Sequence, residues 1–161
     1  MTDAVDDGRL SPAPAHVHRV RIYWEDTDAS GIVYHANYLK FTERARTEWL
    51  RALGRWQSRV LDESGIAFVV RRAEMEFHRP ARLDDLLDVE TRLGRVSGAT
   101  LTVNQSIIAV EDSDSGDERA ESDTDRCFRP TLVTVCVQLA CVDQRGRAVR
   151  LPPAFRATAS A

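Results

Sequence analysis

Glu25, Asp26 and Asp28 put three carboxylates within four positions, where an apolar strand-like run hands over to a long amphipathic helix. A folded chain seldom sets clustered acids at such a junction unless one of them has a task. Gly31, three residues after Asp28, lets the backbone turn sharply or approach another group closely. The first amides of the following helix have no intrahelical acceptors, so they can face a ligand oxygen. A carboxylate beside such amides suits attack on a carbonyl, or its hydration. From the residues alone, Asp28 reads as a helix N-cap or turn carboxylate or as a catalytic group, and both readings stay open. Glu25 and Asp26 read as structural, pairing with arginine or capping the turn. The His35 side chain either takes part or packs at the helix entry.

The elements that must position these residues follow from hydrophobic periodicity. From His16 to Trp24 the chain alternates, with Val20, Ile22 and Trp24 on one face of a strand. Tyr38, Phe41, Ala45, Trp49, Ala52 and Leu53 recur at helical spacing over about 37–53, with Lys40, Glu43, Arg44, Glu48 and Arg51 opposite. Arg44 and Glu48, one turn apart, are expected to form a modest surface pair, and Gly54 to stop the helix. A shorter helix is expected over 56–63. Period-two alternation then gives strands over 68–77, 86–93, 100–110 and 131–142, with a break at Arg79-Pro80-Ala81-Arg82 and a turn at 143–146.

This order predicts an α+β fold, in which an antiparallel sheet of about five strands wraps around one long central helix. Residues 1–15 are expected to be a flexible tail, 16–161 one domain, and 111–129 an exposed acidic loop insertion too poor in apolar residues to order itself. The outer face of the sheet, with Val69, Ile108 and Val135, is expected to need cover, most simply from a second subunit.

Composition narrows the function class. The 161 residues are 43% hydrophobic and 29% charged, ordinary for one soluble domain. A net charge of −3 argues against general nucleic-acid binding. Lys40 is the sole lysine among many arginines, which base composition explains. No apolar run spans a bilayer, and the acidic, Pro/Ala-containing start lacks the apolar core of a secretory signal. Cys127, Cys136 and Cys141 form no C-x-x-C pair; an odd count fits reduced thiols in a cytoplasm, with Cys136 and Cys141 as buried small hydrophobes. His78 reads as a surface or interface residue. His16, His18 and Asp28 lack compact metal-ligand spacing. Among Arg71, Arg72, Arg79 and Arg82, phosphate contacts and solvated strand charges are both open.

The run Arg21-Ile22-Tyr23-Trp24-Glu25-Asp26-Thr27-Asp28-Ala29-Ser30-Gly31-Ile32-Val33-Tyr34-His35-Ala36-Asn37-Tyr38, continuing through Phe41 to Glu48, resembles the hot-dog-fold acyl-CoA thioesterases of the 4-hydroxybenzoyl-CoA thioesterase family. It is most similar to the Tol–Pal-associated, YbgC-type group. Phe68-Val69-Val70-Arg71, Arg79 to Asp85 and Val137 to Asp143 match as well, so the resemblance covers about 17–153 apart from the acidic loop. It implies a hot-dog homodimer or homotetramer that hydrolyses an acyl-CoA to free acid and CoA, without metal or redox cofactor and without membrane insertion. It implies that Asp28 is the general base or nucleophile, and that the backbone amide of His35 polarises the thioester carbonyl, with a proposed contribution from its side chain. Trp24, Gly31, Val33 and Tyr34 are the implied substrate-binding residues. Two features depart from the group: Trp24 replaces its usual Tyr, which removes a hydroxyl, and the acidic loop is longer. Two other classes remain in view, a hot-dog enoyl-CoA hydratase or dehydratase and a non-catalytic module binding acyl carriers or envelope proteins.

Overall fold

The computed structural model describes residues 16–110, 129–153 and 155. Strand β1, His16–Arg21, opens the fold. Helix α1, Asn37–Ala52, forms because Tyr38, Phe41 and Ala45 fall on one buried stripe. It ends at Gly54, whose φ of +72° suits a residue without a Cβ; the Arg55 amide closes the cap on the Leu50 carbonyl at 2.8 Å. Helix α2, Gln57–Ser64, buries none of its residues. Four strands complete the fold: β2, Ile66–Phe77; β3, Leu86–Ser97; β4, Thr100–Val110; and β5, Thr131–Asp143.

These strands form a five-stranded sheet in the order β1-β3-β4-β5-β2, antiparallel throughout. Alternate residues of the inner strands, Leu87 and Val89 on β3, Ile107 on β4 and Val133 and Val137 on β5, join Tyr38, Phe41 and Ala45 of α1 in one core. Phe41 is fully buried, and burying such a side chain stabilises by about 1.5–3 kcal/mol. The long edge strand β2 carries a bulge between Val70 and Arg72. Among the described residues this is the expected α+β arrangement of one long helix against a curved five-stranded sheet.

Several local expectations are corrected. Trp24 does not continue the first strand; the chain leaves the sheet after Arg21, and Trp24–Asp26 form a 3-10 turn with Trp24 77% exposed. Val135 does not face outward. It lies in the core beside Val133 and Val137, because the odd positions of β5 point toward α1. The outer face instead carries polar groups such as Glu90, Arg92, Asn104, Ser106 and Thr134. Arg44 and Glu48 do not pair with each other: Glu48 pairs with Arg51, and Glu43 with Arg46. Cys141 is buried and Cys136 half-buried; desolvation raises both thiols above their ordinary range, which opposes a nucleophilic role. The N-terminal segment and all of the acidic loop except Arg129 lie outside the described residues, as does Cys127.

Candidate active site

The loop between β1 and α1 is a small hairpin built from its own backbone. Thr27 and Val33 form an isolated antiparallel bridge. Beyond it the Asp28 amide donates to the Ile32 carbonyl at 3.0 Å, and the Gly31 amide to the Asp28 carbonyl at 2.9 Å. Gly31 adopts φ +72° at the tip, with nothing within 4 Å of where a Cβ would stand. The glycine is therefore required for its backbone angle, and crowding plays no part.

The three acids separate by their hydrogen bonds. Asp26 is buried, and its Oδ2 accepts the Tyr23 amide at 3.0 Å, capping the 3-10 turn. Its carbonyl accepts two more donors, the Tyr34 amide at 2.9 Å and Nδ2 of Asn37 at 3.0 Å. Glu25 is exposed. Asp28 is exposed, and one carboxylate oxygen, Oδ1, accepts the Ser30 amide at 2.8 Å. That bond orients the carboxylate and leaves its second oxygen open to a ligand or water.

The structure places His35 in the turn that enters α1, with its ring exposed and 4.5 Å, centroid to centroid, from that of Tyr34. No acidic or capping side chain covers the amides that open α1, and among the described residues no acceptor takes the His35 amide. Asp28 and this amide thus belong to one hairpin loop at the positive end of the helix dipole. Trp24, Tyr23 and Tyr34 are exposed aromatic side chains of the same loop. Val33 is placed differently, its side chain buried in the core and its amide donating to the Ala81 carbonyl at 2.8 Å. It braces the loop from beneath.

Tyr38 completes that brace. Its hydroxyl accepts the Ala81 amide at 2.9 Å, tying α1 to the segment between β2 and β3. Burial pushes the phenol up from its ordinary range, so it stays neutral. Sequence reasoning passed over Asn37 and Arg46. Arg46 is buried mid-helix, where its guanidinium donates to Gln105 Oε1 at 2.7 Å and pairs with Glu43. An apolar groove lies toward the C-terminal end of α1, between α1, α2 and the sheet, lined by Trp49, Leu50, Phe68, Leu101 and Phe155. No residue of the 23–38 loop lines it. The arginines considered for phosphate contacts, Arg71, Arg72, Arg79 and Arg82, are all exposed, and Arg72 pairs with Glu74.

Comparison with known proteins bears on this site. The sequence model of the Thioesterase superfamily matches residues 30–115, more than half of the chain. The acyl-CoA thioesterase YbgC of Haemophilus influenzae is 52% identical over 89 residues, covering 55% of this chain and 65% of that protein. The acyl-CoA thioester hydrolase YbgC of Escherichia coli O157:H7 is 47% identical over 94 residues, 58% of this chain and 69% of the relative. The aligned region thus spans about two thirds of the length of these curated relatives. A crystal structure of a probable thioesterase from Bartonella henselae superposes with a TM-score of 0.70 at 37% identity, covering 86% of this chain and 100% of that one. A 1,4-dihydroxy-2-naphthoyl-CoA thioesterase from Synechocystis, 18% identical with a TM-score of 0.72 over 89% of this chain and 93% of its own, shares the fold. The chain belongs to the thioesterase superfamily, and its fold is the hot-dog fold of those enzymes.

Proposed function

We propose that this protein is an enzyme that hydrolyses acyl-CoA thioesters to a free carboxylic acid and CoA. The observation that carries the reading is the pairing, in one loop, of an exposed, oriented carboxylate on Asp28 with an amide on His35 that no acceptor among the described residues takes. The YbgC relatives support it through their names and their identity over this same region.

In the proposed reaction, the thioester carbonyl oxygen accepts the His35 N–H. Asp28 takes a proton from water as the water oxygen bonds to the carbonyl carbon; alternatively its carboxylate attacks directly, and water then hydrolyses the mixed anhydride. In either route the C–S bond breaks and CoA leaves as a thiolate that is then protonated. Charge develops on the carbonyl oxygen as the tetrahedral intermediate forms, where a preorganised donor is worth about 10²–10³ in rate. Water is the only co-reactant. Trp24 and Tyr34 flank the entering substrate, and Gly31 gives the loop its turn.

We further propose a cytoplasmic homo-oligomer. β2 is a twelve-residue edge strand with Val69, Val70 and Phe77 exposed, and such an edge is a ready template for a second copy. The odd cysteine count supports a reducing compartment. Assaying CoA release across short-chain, long-chain and aromatic acyl-CoA esters, with Asp28→Asn as control, tests the function. No release from any ester, or release unaffected by Asp28→Asn, rejects it.

A further inference from the structure

We infer that Asn37 is a positioning residue: its buried carboxamide steadies the Asp26 carbonyl that holds the Tyr34 N–H, and its backbone amide holds the Tyr34 carbonyl, so that the His35 N–H points outward to the reacting carbonyl. The inference rests on the hydrolase reading for its catalytic consequence, but its geometry stands on the loop alone. Asn37 occupies the first position of α1 and is only 6% exposed. An asparagine there would ordinarily face water; this one sends Nδ2 inward to the Asp26 carbonyl at 3.0 Å. The same carbonyl accepts the Tyr34 amide at 2.9 Å. On the other side of Tyr34, its own carbonyl accepts the Asn37 amide at 2.8 Å.

Tyr34 is therefore clamped at both its N–H and its C=O: the Asn37 side chain steadies the first grip through the Asp26 carbonyl, and the Asn37 backbone amide makes the second. The consequence follows from peptide geometry. In a planar trans peptide the C=O and the next N–H point in opposite directions, and no peptide of the described residues is cis. With the Tyr34 carbonyl turned toward the helix, the His35 N–H must turn away from it. No acceptor among the described residues takes that N–H. The net result is an oxyanion donor set before substrate arrives.

The test uses the full-length protein with Asn37→Ala and Asn37→Asp. Asn37→Asp keeps the size but sets an acceptor against the Asp26 carbonyl, and thermal melts of both variants, with kcat taken per folded molecule, separate a local effect from unfolding. Two quantities are read: the hydrogen-exchange protection of the Tyr34 amide, and kcat and KM for CoA release from the best acyl-CoA ester. We expect Tyr34 to exchange at least about tenfold faster in both variants. In Asn37→Ala, kcat per folded molecule should fall about tenfold or more with KM within about threefold, a smaller loss than outright removal of an oxyanion donor. Unchanged Tyr34 protection in both variants overturns the inference. So does a wild-type kcat per folded molecule in Asn37→Ala while Asp28→Asn is inactive, and the hydrolase reading then survives. Should the wild type release no CoA, the hydrolase reading falls and Tyr34 protection alone decides whether Asn37 orients the peptide.

Discussion

Two polar clusters share helix α1 and use their hydrogen-bonding capacity in opposite ways. Mid-helix, Arg46 donates to Gln105 and Glu43, while Gln105 Nε2 donates to the Thr42 carbonyl and the Thr91 hydroxyl, each at 2.9 Å. Thr42, Arg46, Thr91 and Gln105 are all buried. Buried polar groups are costly unless partnered, and here the partners come from within the protein. At the helix entry, Asp28 keeps an open carboxylate oxygen and His35 an open amide, both at the surface. The saturated cluster holds α1 to β3 and β4; the unsaturated one is equipped to meet a substrate. Hydrogen-bonding capacity left open by an ordered backbone distinguishes a candidate site from a structural network.

The contrast breaks most decisively at Asp28. Replacing it with Asn keeps the shape but loses the proton acceptor. The turnover of CoA release should fall by about 10²–10⁴, with the thermal midpoint unchanged within error, because the group is exposed. Paired kinetics and thermal melts check this. A large loss of stability would move Asp28 into the structural class.

Gln105→Leu reverses the pattern. The substitution leaves the Arg46 guanidinium, the Thr42 carbonyl and the Thr91 hydroxyl without their shared partner. Leaving a buried polar group unsatisfied costs about 1–3 kcal/mol, read as a lower urea midpoint, while kcat per folded molecule should stay near wild type. Loss of catalysis at unchanged stability would show that the two clusters are coupled along the helix.

The sequence made the saturated cluster hard to see. Arg46 falls among charges that read as solvent-facing, and its burial depends on Gln105, 59 residues away. Gln105 itself was legible as inward-facing, since it alternates with Leu101, Val103 and Ile107, and β4 runs over the same residues that its period indicates. The entry of α1 was legible from Gly31 and the helical stripe. The division of labour among the acids was less so: Asp26 and Asp28 differ in which donors reach them, a matter of backbone path. That path also misled the reading of Trp24. The Asp26 cap on the Tyr23 amide folds the chain into a turn, and local alternation cannot register a bond three residues ahead.

A third carboxylate tests whether saturation alone marks structure. Asp88 is buried on β3 and pairs with Arg19, Nε to Oδ1 at 2.8 Å, and with Arg129. The Arg19 hydrogen bond, opposed by desolvation and aided by Arg129, holds its carboxyl below the ordinary range. A depressed folded-state value stabilises the protein at pH above the unfolded value of about 3.9, and that stability is lost as pH falls through the folded value. Urea midpoints measured from pH 6 downward should therefore drop below about pH 4, and the drop should be shallower in Asp88→Asn. Equal slopes would remove Asp88 from the saturated class. Both arginines are about half exposed, so solvent screens part of the effect.

The smallest effect on turnover and stability together is expected at Trp24, and it sharpens the comparison from the open side. With the side chain 77% exposed, Trp24→Ala removes little packing, and the stability change should stay within about 0.5 kcal/mol. Its cost, if the ring flanks substrate, appears as a higher KM for acyl-CoA at an unchanged melting midpoint. Trp24→Tyr separates shape from chemistry, since it retains an aromatic face and exchanges the indole N–H for a hydroxyl. A KM recovered by Tyr but not by Ala assigns the contribution to the ring, whereas a rise in kcat with Tyr assigns it to the hydroxyl that this chain lacks. Equal kinetics in all three proteins would leave the ring outside the substrate path, and the open cluster would then reduce to Asp28 and the His35 amide.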